Sequence, residues 1–237
     1  MAEDLLNPGR KIPHSMQQER RKSLNTCIVI GAGNCSMPDI QIQEGDFCIA
    51  VDGGYAYCKK FGIAPELIIG DMDSLDENLQ EEAERMEELF PEKVIRLCPE
   101  KDDTDTLTAL KFGMKRGYRQ FHIYGAMGGL IEHTVANIQC LVYLKNNGAN
   151  GYLLDDGIAV SVLKEESIVF GKEKDGYFSL FALGEEAEGV TIAGMKYPLE
   201  NAVVTNGCPI GISNEFIGKE SMVSVKKGML LLILSRR

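Results

Sequence analysis

Between residues 27 and 155 the chain repeats one rhythm: a short apolar run, a turn rich in Gly or Asp, then a stretch with helical spacing. The apolar runs fall at 27–31, 47–51, 67–69, 94–98, 121–124 and 151–155. Helical patterns occupy 54–61, 76–90, the segment through Leu107, Leu110 and Met114, and the segment through Val135, Ile138 and Val142. Short apolar runs suit strands covered on both faces, and strands alternating with helices build a mostly parallel sheet. After Asp156 no long helical pattern remains. Strand-like runs at 159–163, 167–170, 177–182, 189–193, 202–204, 222–225 and 229–234 are separated by turns, the pattern of an antiparallel sandwich or barrel. The expected fold is an α/β N-terminal domain at 26–156 with a mostly parallel, Rossmann-like sheet, followed by an all-β sandwich domain at 157–237. Residues 1–25, polar and without periodicity, read as a mobile tail.

A parallel sheet brings its strand-end turns to one edge, and ligands bind along that edge. Asp71 and Asp73 follow the run at 67–69. On extended backbone, side chains two apart point the same way, so both are expected to face one spot. Two such carboxylates repel unless a cation or proton lies between them. Mg²⁺ suits the position, since it takes one or two carboxylates together with substrate phosphates. After the run at 94–98 comes Lys101-Asp102-Asp103-Thr104-Asp105, where Asp103 or Thr104 can cap the next helix and a further carboxylate reaches the same edge. Asp52-Gly53-Gly54 follows the second run. Gly125 to Gly129 separates a strand from a helix, the physical recipe for cradling phosphate. His133 and Asn137, four apart, share a helix face. Gly31-Ala32-Gly33, with Asp52 about 20 residues on, invites a dinucleotide reading. That match is weak, because Ser36 stands where the third glycine belongs and Pro38 follows.

The net charge of −10 and pI near 4.9 argue against nonspecific nucleic-acid binding and against an anionic membrane surface. No apolar run is long enough to span a bilayer, and residues 1–26 contain no apolar signal core, so a cytoplasmic location is expected. The seven cysteines include no C-x-x-C pair. Cys27, Cys48 and Cys98 in strand-like runs, and Cys58 and Cys140 in helical ones, read as buried thiols rather than disulfides or zinc ligands.

Five blocks in order carry a resemblance. They are Asp52-Gly53-Gly54; Gly70-Asp71-Met72-Asp73-Ser74; Lys101 through Asp105; Gly125-Ala126-Met127-Gly128-Gly129 through His133 and Asn137; and, in the β half, Gly194-Met195-Lys196-Tyr197-Pro198-Leu199 with Gly211-Ile212-Ser213-Asn214-Glu215-Phe216. Together they resemble thiamine pyrophosphokinases over roughly residues 27–235. The resemblance implies transfer of pyrophosphate from ATP to the thiamine hydroxyl, with Mg²⁺, by a homodimer whose active sites lie between subunits. It implies Asp71, Asp73 and Asp102 as metal and phosphate ligands, with Asp105 close by as a further catalytic carboxylate. It places Asp52, Gly53, Gly54, Lys101, Thr104, Gly128, Gly129, Glu132, His133 and Asn137 at the nucleotide, and Ser213 and Asn214 at thiamine. The family usually reads Gly-Gly-Arg-x-Asp-His in the fourth block; here Leu130 replaces the arginine and Glu132 the aspartate. Lys101, Arg116 and Arg119 are the cations considered as substitutes. Two rival readings are a related pyrophosphokinase acting on another alcohol and a catalytically silent nucleotide- or thiamine-binding protein.

Overall fold

The computed structural model describes residues 25–36, 40–98 and 102–236. The tail expected at 1–25, apart from Asn25, lies outside the described residues, as does Lys101. The chain forms two units, Leu24–Asp156 and Gly157–Arg237.

The first unit has strands β1 (Thr26–Ile30), β2 (Phe47–Val51), β3 (Leu67–Gly70), β4 (Val94–Arg96), β5 (Gln120–Tyr124) and β6 (Asn150–Asp155). Their order is β4-β3-β2-β1-β5-β6 and every pairing is parallel. Helices α1 (Gly54–Phe61), α2 (Glu77–Leu89), α3 (Asp105–Lys115) and α4 (Ile131–Asn146) supply the crossovers. Three of the four helices start or stop on a recognisable residue. Gly62 takes a left-handed conformation after α1. Asp76 caps α2 by accepting from the Leu79 amide at 3.0 Å. Thr104, rather than Asp103, caps α3 through the Leu107 amide. The strand interiors are largely apolar, as in a parallel sheet covered by helices; Ile28, Ile49, Leu67, Ile68, Ile69, Phe121 and Ile123 are fully buried. Each such side chain contributes roughly 1.5–3 kcal/mol on leaving water.

Strand order turns at β1, which has β2 on one side and β5 on the other. There the chain is drawn together: the Gly31 amide donates to the Tyr124 carbonyl at 2.8 Å and Gly33 to the Gly125 carbonyl at 2.7 Å. A Cβ on Gly31 would lie 2.8 Å from the Gly125 oxygen. The Gly-Ala-Gly segment is thus a seam between two strand ends.

The second unit is antiparallel: β7 (Ile158–Lys164), β8 (Ser167–Phe170), β9 (Tyr177–Ala193), β10 (Leu199–Thr205), β11 (Asn214–Glu215), β12 (Ser221–Ser224) and β13 (Lys227–Ser235). The runs expected as two strands at 177–182 and 189–193 are one long strand. The first part of β9 pairs with β13 and β11, its second part with β10 and β12, and β12 continues to β8. β13 also pairs with β7. Both halves of β9 thereby face one core that includes Phe170, Phe178, Leu180, Val190, Ile192, Phe216, Val223, Leu230 and Leu232.

All seven cysteines are free, but Cys98 is exposed rather than buried, because β4 ends at Arg96 and Cys98 lies beyond the sheet; Cys208 is exposed as well. Among the described residues no helix is long and apolar enough to cross a membrane.

Candidate active site

The carboxyl edge of the parallel sheet carries the acidic turns. Asp52 ends β2 with a positive φ of 47°, and its Oδ1 accepts from the Asp71 amide at 3.2 Å, tying the end of β2 to that of β3. Beyond Gly70 the backbone does not continue extended, as the sequence reading assumed. Met72 is left-handed (φ 68°) and buried, and Asp71 Oδ1 accepts from the Asp73 amide at 3.2 Å. The two carboxylates nevertheless line one small open pocket of about 90 Å³, with Met72, Gln80, Glu84 and Arg96. A tight turn anchored by a buried methionine, rather than strand alternation, brings them there.

Gln80 gives the turn its second anchor. Its Nε2 donates to the Met72 carbonyl at 3.1 Å and to the Leu75 carbonyl at 3.0 Å, while Leu75 is buried. Nothing in the sequence singled Gln80 out, since a glutamine on a polar helix face carries no signal of its own. Arg96 carried no signal either, because it lies inside the run 94–98 that reads as a strand.

The other acidic cluster follows β4. Asp102 is exposed and is not among the residues lining the pocket. Asp103 holds Lys111 Nζ at 2.6 Å, and Asp105 opens α3. Among the described residues no three His, Cys, Asp or Glu side chains are gathered as a metal cage. Mg²⁺ does not require one, because it keeps waters and accepts phosphate oxygens beside one or two carboxylates. Asp71 and Asp73 on one pocket fit that demand.

Several residues assigned to the nucleotide serve the scaffold. Gly54 is buried, and a Cβ there would lie 1.8 Å from the Ile30 carbonyl oxygen, so its role is the close packing of α1 on β1. Asn137, 8% exposed, donates from Nδ2 to the Ala126 carbonyl at 2.8 Å and thereby fixes the glycine turn. In that turn Gly125, Gly128 and Gly129 have positive φ. Gly53, of intermediate burial, precedes α1, and exposed Glu132 and His133 lie in the first turn of α4. Burial pushes the Tyr124 hydroxyl up to about 12, so it is no base at neutral pH. Arg116 and Arg119 do not replace the missing arginine. Arg116 stacks 4.6 Å from the ring centre of Phe47, the first residue of β2, and Arg119 precedes β5 and donates to the Met114 and Tyr118 carbonyls. Both therefore sit at the amino edge, the far end of the strands.

In the second unit Ser213 is exposed with φ 55°, and its amide donates to Ser179 Oγ at 3.1 Å. Asn214 is buried. Its Oδ1 accepts from the amides of Tyr197 and Glu215, each at 2.9 Å, and its Nδ2 donates to the Tyr197 carbonyl at 2.7 Å. That clamp fixes Tyr197, whose side chain is exposed at 57%, and Lys196 is bonded to Glu215 at 2.5 Å, which raises the lysine's pKa. Phe216 is 3% exposed and packed edge-on against Phe170 and Phe178.

These two units coincide with two family models. Residues 40–153 match the thiamin pyrophosphokinase catalytic domain and residues 165–230 the thiamin pyrophosphokinase vitamin B1 binding domain. The thiamine pyrophosphokinase of Bacillus subtilis (strain 168) is 30% identical over 217 residues, spanning 90% of this chain and 99% of that protein. The chain belongs to the thiamine pyrophosphokinase family. Solved structures agree. The thiamine pyrophosphokinase from Bacillus subtilis superposes with a TM-score of 0.79 at 28% identity, covering 90% of this chain and 99% of that one. A thiamin pyrophosphokinase family protein from Enterococcus faecalis gives 0.74 at 28% identity, with the same coverage. The thiamine pyrophosphokinase signatures thus fall on both the parallel and the antiparallel unit.

Proposed function

We infer that this protein transfers a pyrophosphoryl group from ATP to the hydroxyl of thiamine, releasing AMP and thiamine diphosphate. The observation that carries the reading is the pair Asp71 and Asp73 on one pocket at the carboxyl edge of a sheet whose whole unit matches the catalytic family model. The thiamine oxygen forms a bond to the β-phosphorus, the bond from that phosphorus to the α–β bridging oxygen breaks, and AMP departs with the electron pair while the hydroxyl gives up its proton. Positioning and charge neutralisation are the protein's contribution.

Asp71 and Asp73 would hold Mg²⁺, with Asp102 as a further carboxylate ligand. When bound, the ion would supply charge neutralisation on the phosphates and lower the pKa of the alcohol. Asp52 keeps the Asp71 turn in place through the amide it binds, and Asp105 and Thr104 present the start of α3. Gly53, Gly128, Gly129, Glu132 and His133 bound the nucleotide; Gly54 and Asn137 shape its surroundings from behind. Ser213 meets thiamine, and Asn214 contributes by holding Tyr197. The protein acts in the cytoplasm as a homodimer with its sites at the subunit interface.

The test is substitution at the metal pair. Asp71→Asn and Asp73→Asn each lower turnover on the order of 100-fold, weaken Mg²⁺ binding, and leave the unfolding midpoint near that of the parent. Near-normal turnover in both variants would overturn the assignment.

A further inference from the structure

We propose that Arg96 is the cation that meets the phosphate tail of ATP in this chain, taking the part that Leu130 cannot. The inference rests on the functional reading above. Leu130 is 61% exposed and carries no charge, so the glycine turn offers the phosphates backbone donors but no guanidinium. Among the described residues of the first unit the arginines are Arg85, Arg96, Arg116 and Arg119. Arg116 and Arg119 lie at the amino edge, and Arg85 pairs with Glu81 along α2. Arg96 alone of these ends a strand at the carboxyl edge.

Its placement is specific. β3 and β4 run parallel with Gly70 opposite Arg96, and the Leu97 amide donates to the Gly70 carbonyl at 3.0 Å. Asp71 is the next residue on the neighbouring strand, and Arg96, Asp71 and Asp73 line the same pocket. The guanidinium is held there by α2: Nε donates to Glu87 at 3.1 Å, one Nη lies 3.1 Å from Glu87, and the same nitrogen is 3.9 Å from Glu84. A guanidinium has five donors in a fixed fork, so Glu87 does not exhaust it. The arginine side chain is 41% exposed. An ion pair that open to water is weak, and exchanging Glu87 for a phosphate costs little. The phosphate contact is charge-assisted and capable of a bidentate geometry. A pocket with three carboxylates (Asp71, Asp73 and Glu84) repels a polyphosphate unless cations are present. The metal supplies one centre of charge and Arg96 the other.

The experiment measures ATP affinity at equilibrium with Mg²⁺ and without thiamine, and separately the KM values for ATP and thiamine. Arg96→Gln weakens ATP binding roughly tenfold or more, raises the ATP KM in parallel and leaves the thiamine KM within about twofold. Arg96→Lys retains part of the affinity, since charge survives without the fork. Glu87→Gln releases the guanidinium and does not weaken ATP binding. An Arg96→Gln protein that binds ATP within about twofold of the parent overturns the proposal, as does equal weakening by Arg96→Gln and Glu87→Gln, which would mark the arginine as a tie between β4 and α2. If the parent binds ATP but forms no AMP with thiamine, the functional reading fails while the Arg96 assignment is still decided by ATP affinity.

Discussion

Asn137 offers the sharpest link between a single hydrogen bond and the glycine turn. Its amide is 8% exposed and its Nδ2 lies 2.8 Å from the Ala126 carbonyl oxygen. Asn137→Ala deletes the donor and leaves that carbonyl short of a partner, which costs about 1–3 kcal/mol. Asn137→Asp keeps the shape but places carboxylate oxygens against a carbonyl in a site that also strips water from the charge. At neutral pH it costs more than the alanine variant. Burial and repulsion raise the folded-state pKa of that aspartate above its unfolded value of about 3.9. A group raised in this way stabilises the fold below the unfolded pKa and loses that contribution as pH rises through the folded one. The Asp variant is therefore closest to the parent near pH 4 and falls away towards pH 8, whereas the Ala deficit stays constant. Urea unfolding across that range, with each variant compared to the parent, reads both. At neutral pH the loosened turn also raises the ATP KM with little effect on the thiamine KM. An Asp variant as stable as the parent at pH 8 would refute the assigned hydrogen bond.

Other consequences follow from the same geometry. Gly54→Ala places a Cβ 1.8 Å from one backbone atom and 2.6 Å from another of Ile30, costing on the order of 3 kcal/mol or more; a parent-like urea midpoint would contradict the packing of α1. Burial lowers the His122 pKa to about 4. The unfolded chain then takes up the proton first as pH falls from about 6.5 to about 4, and up to about 3 kcal/mol of stability is lost over that window. In His122→Phe this part of the acid sensitivity disappears, and an unchanged pH profile would show that the imidazole is not the source. Thr104→Ala removes the cap of α3 and costs about 1 kcal/mol, readable as a lowered midpoint; no shift would mean that the Leu107 amide is satisfied otherwise.

The sequence carried the parallel unit well because its punctuation is local. Gly62 stops α1, Asp76 starts α2, and short uninterrupted runs such as Leu67-Ile68-Ile69, closed by a glycine, suit strands covered on both sides. The β unit was harder. The stretch 183–188, with Gly184 in it, read as a turn, yet β9 runs through it and joins two sheets, a feature set by long-range pairing with β13 and β12. At the site, Asp71 and Asp73 were visible as a pair, but the turn that aligns them depends on Met72 being buried and on Gln80 reaching back to its carbonyl. Asn214 had the right neighbourhood and an unexpected duty, because only the fold shows its amide occupied by Tyr197.

The central claim is most directly tested by incubating the purified protein with Mg-ATP, with and without thiamine, and separating nucleotides and thiamine esters by chromatography. A thiamine pyrophosphokinase forms AMP that depends on thiamine and is matched mole for mole by thiamine diphosphate. ATP left intact in the presence of thiamine, or AMP formed at the same rate without it, would contradict the account.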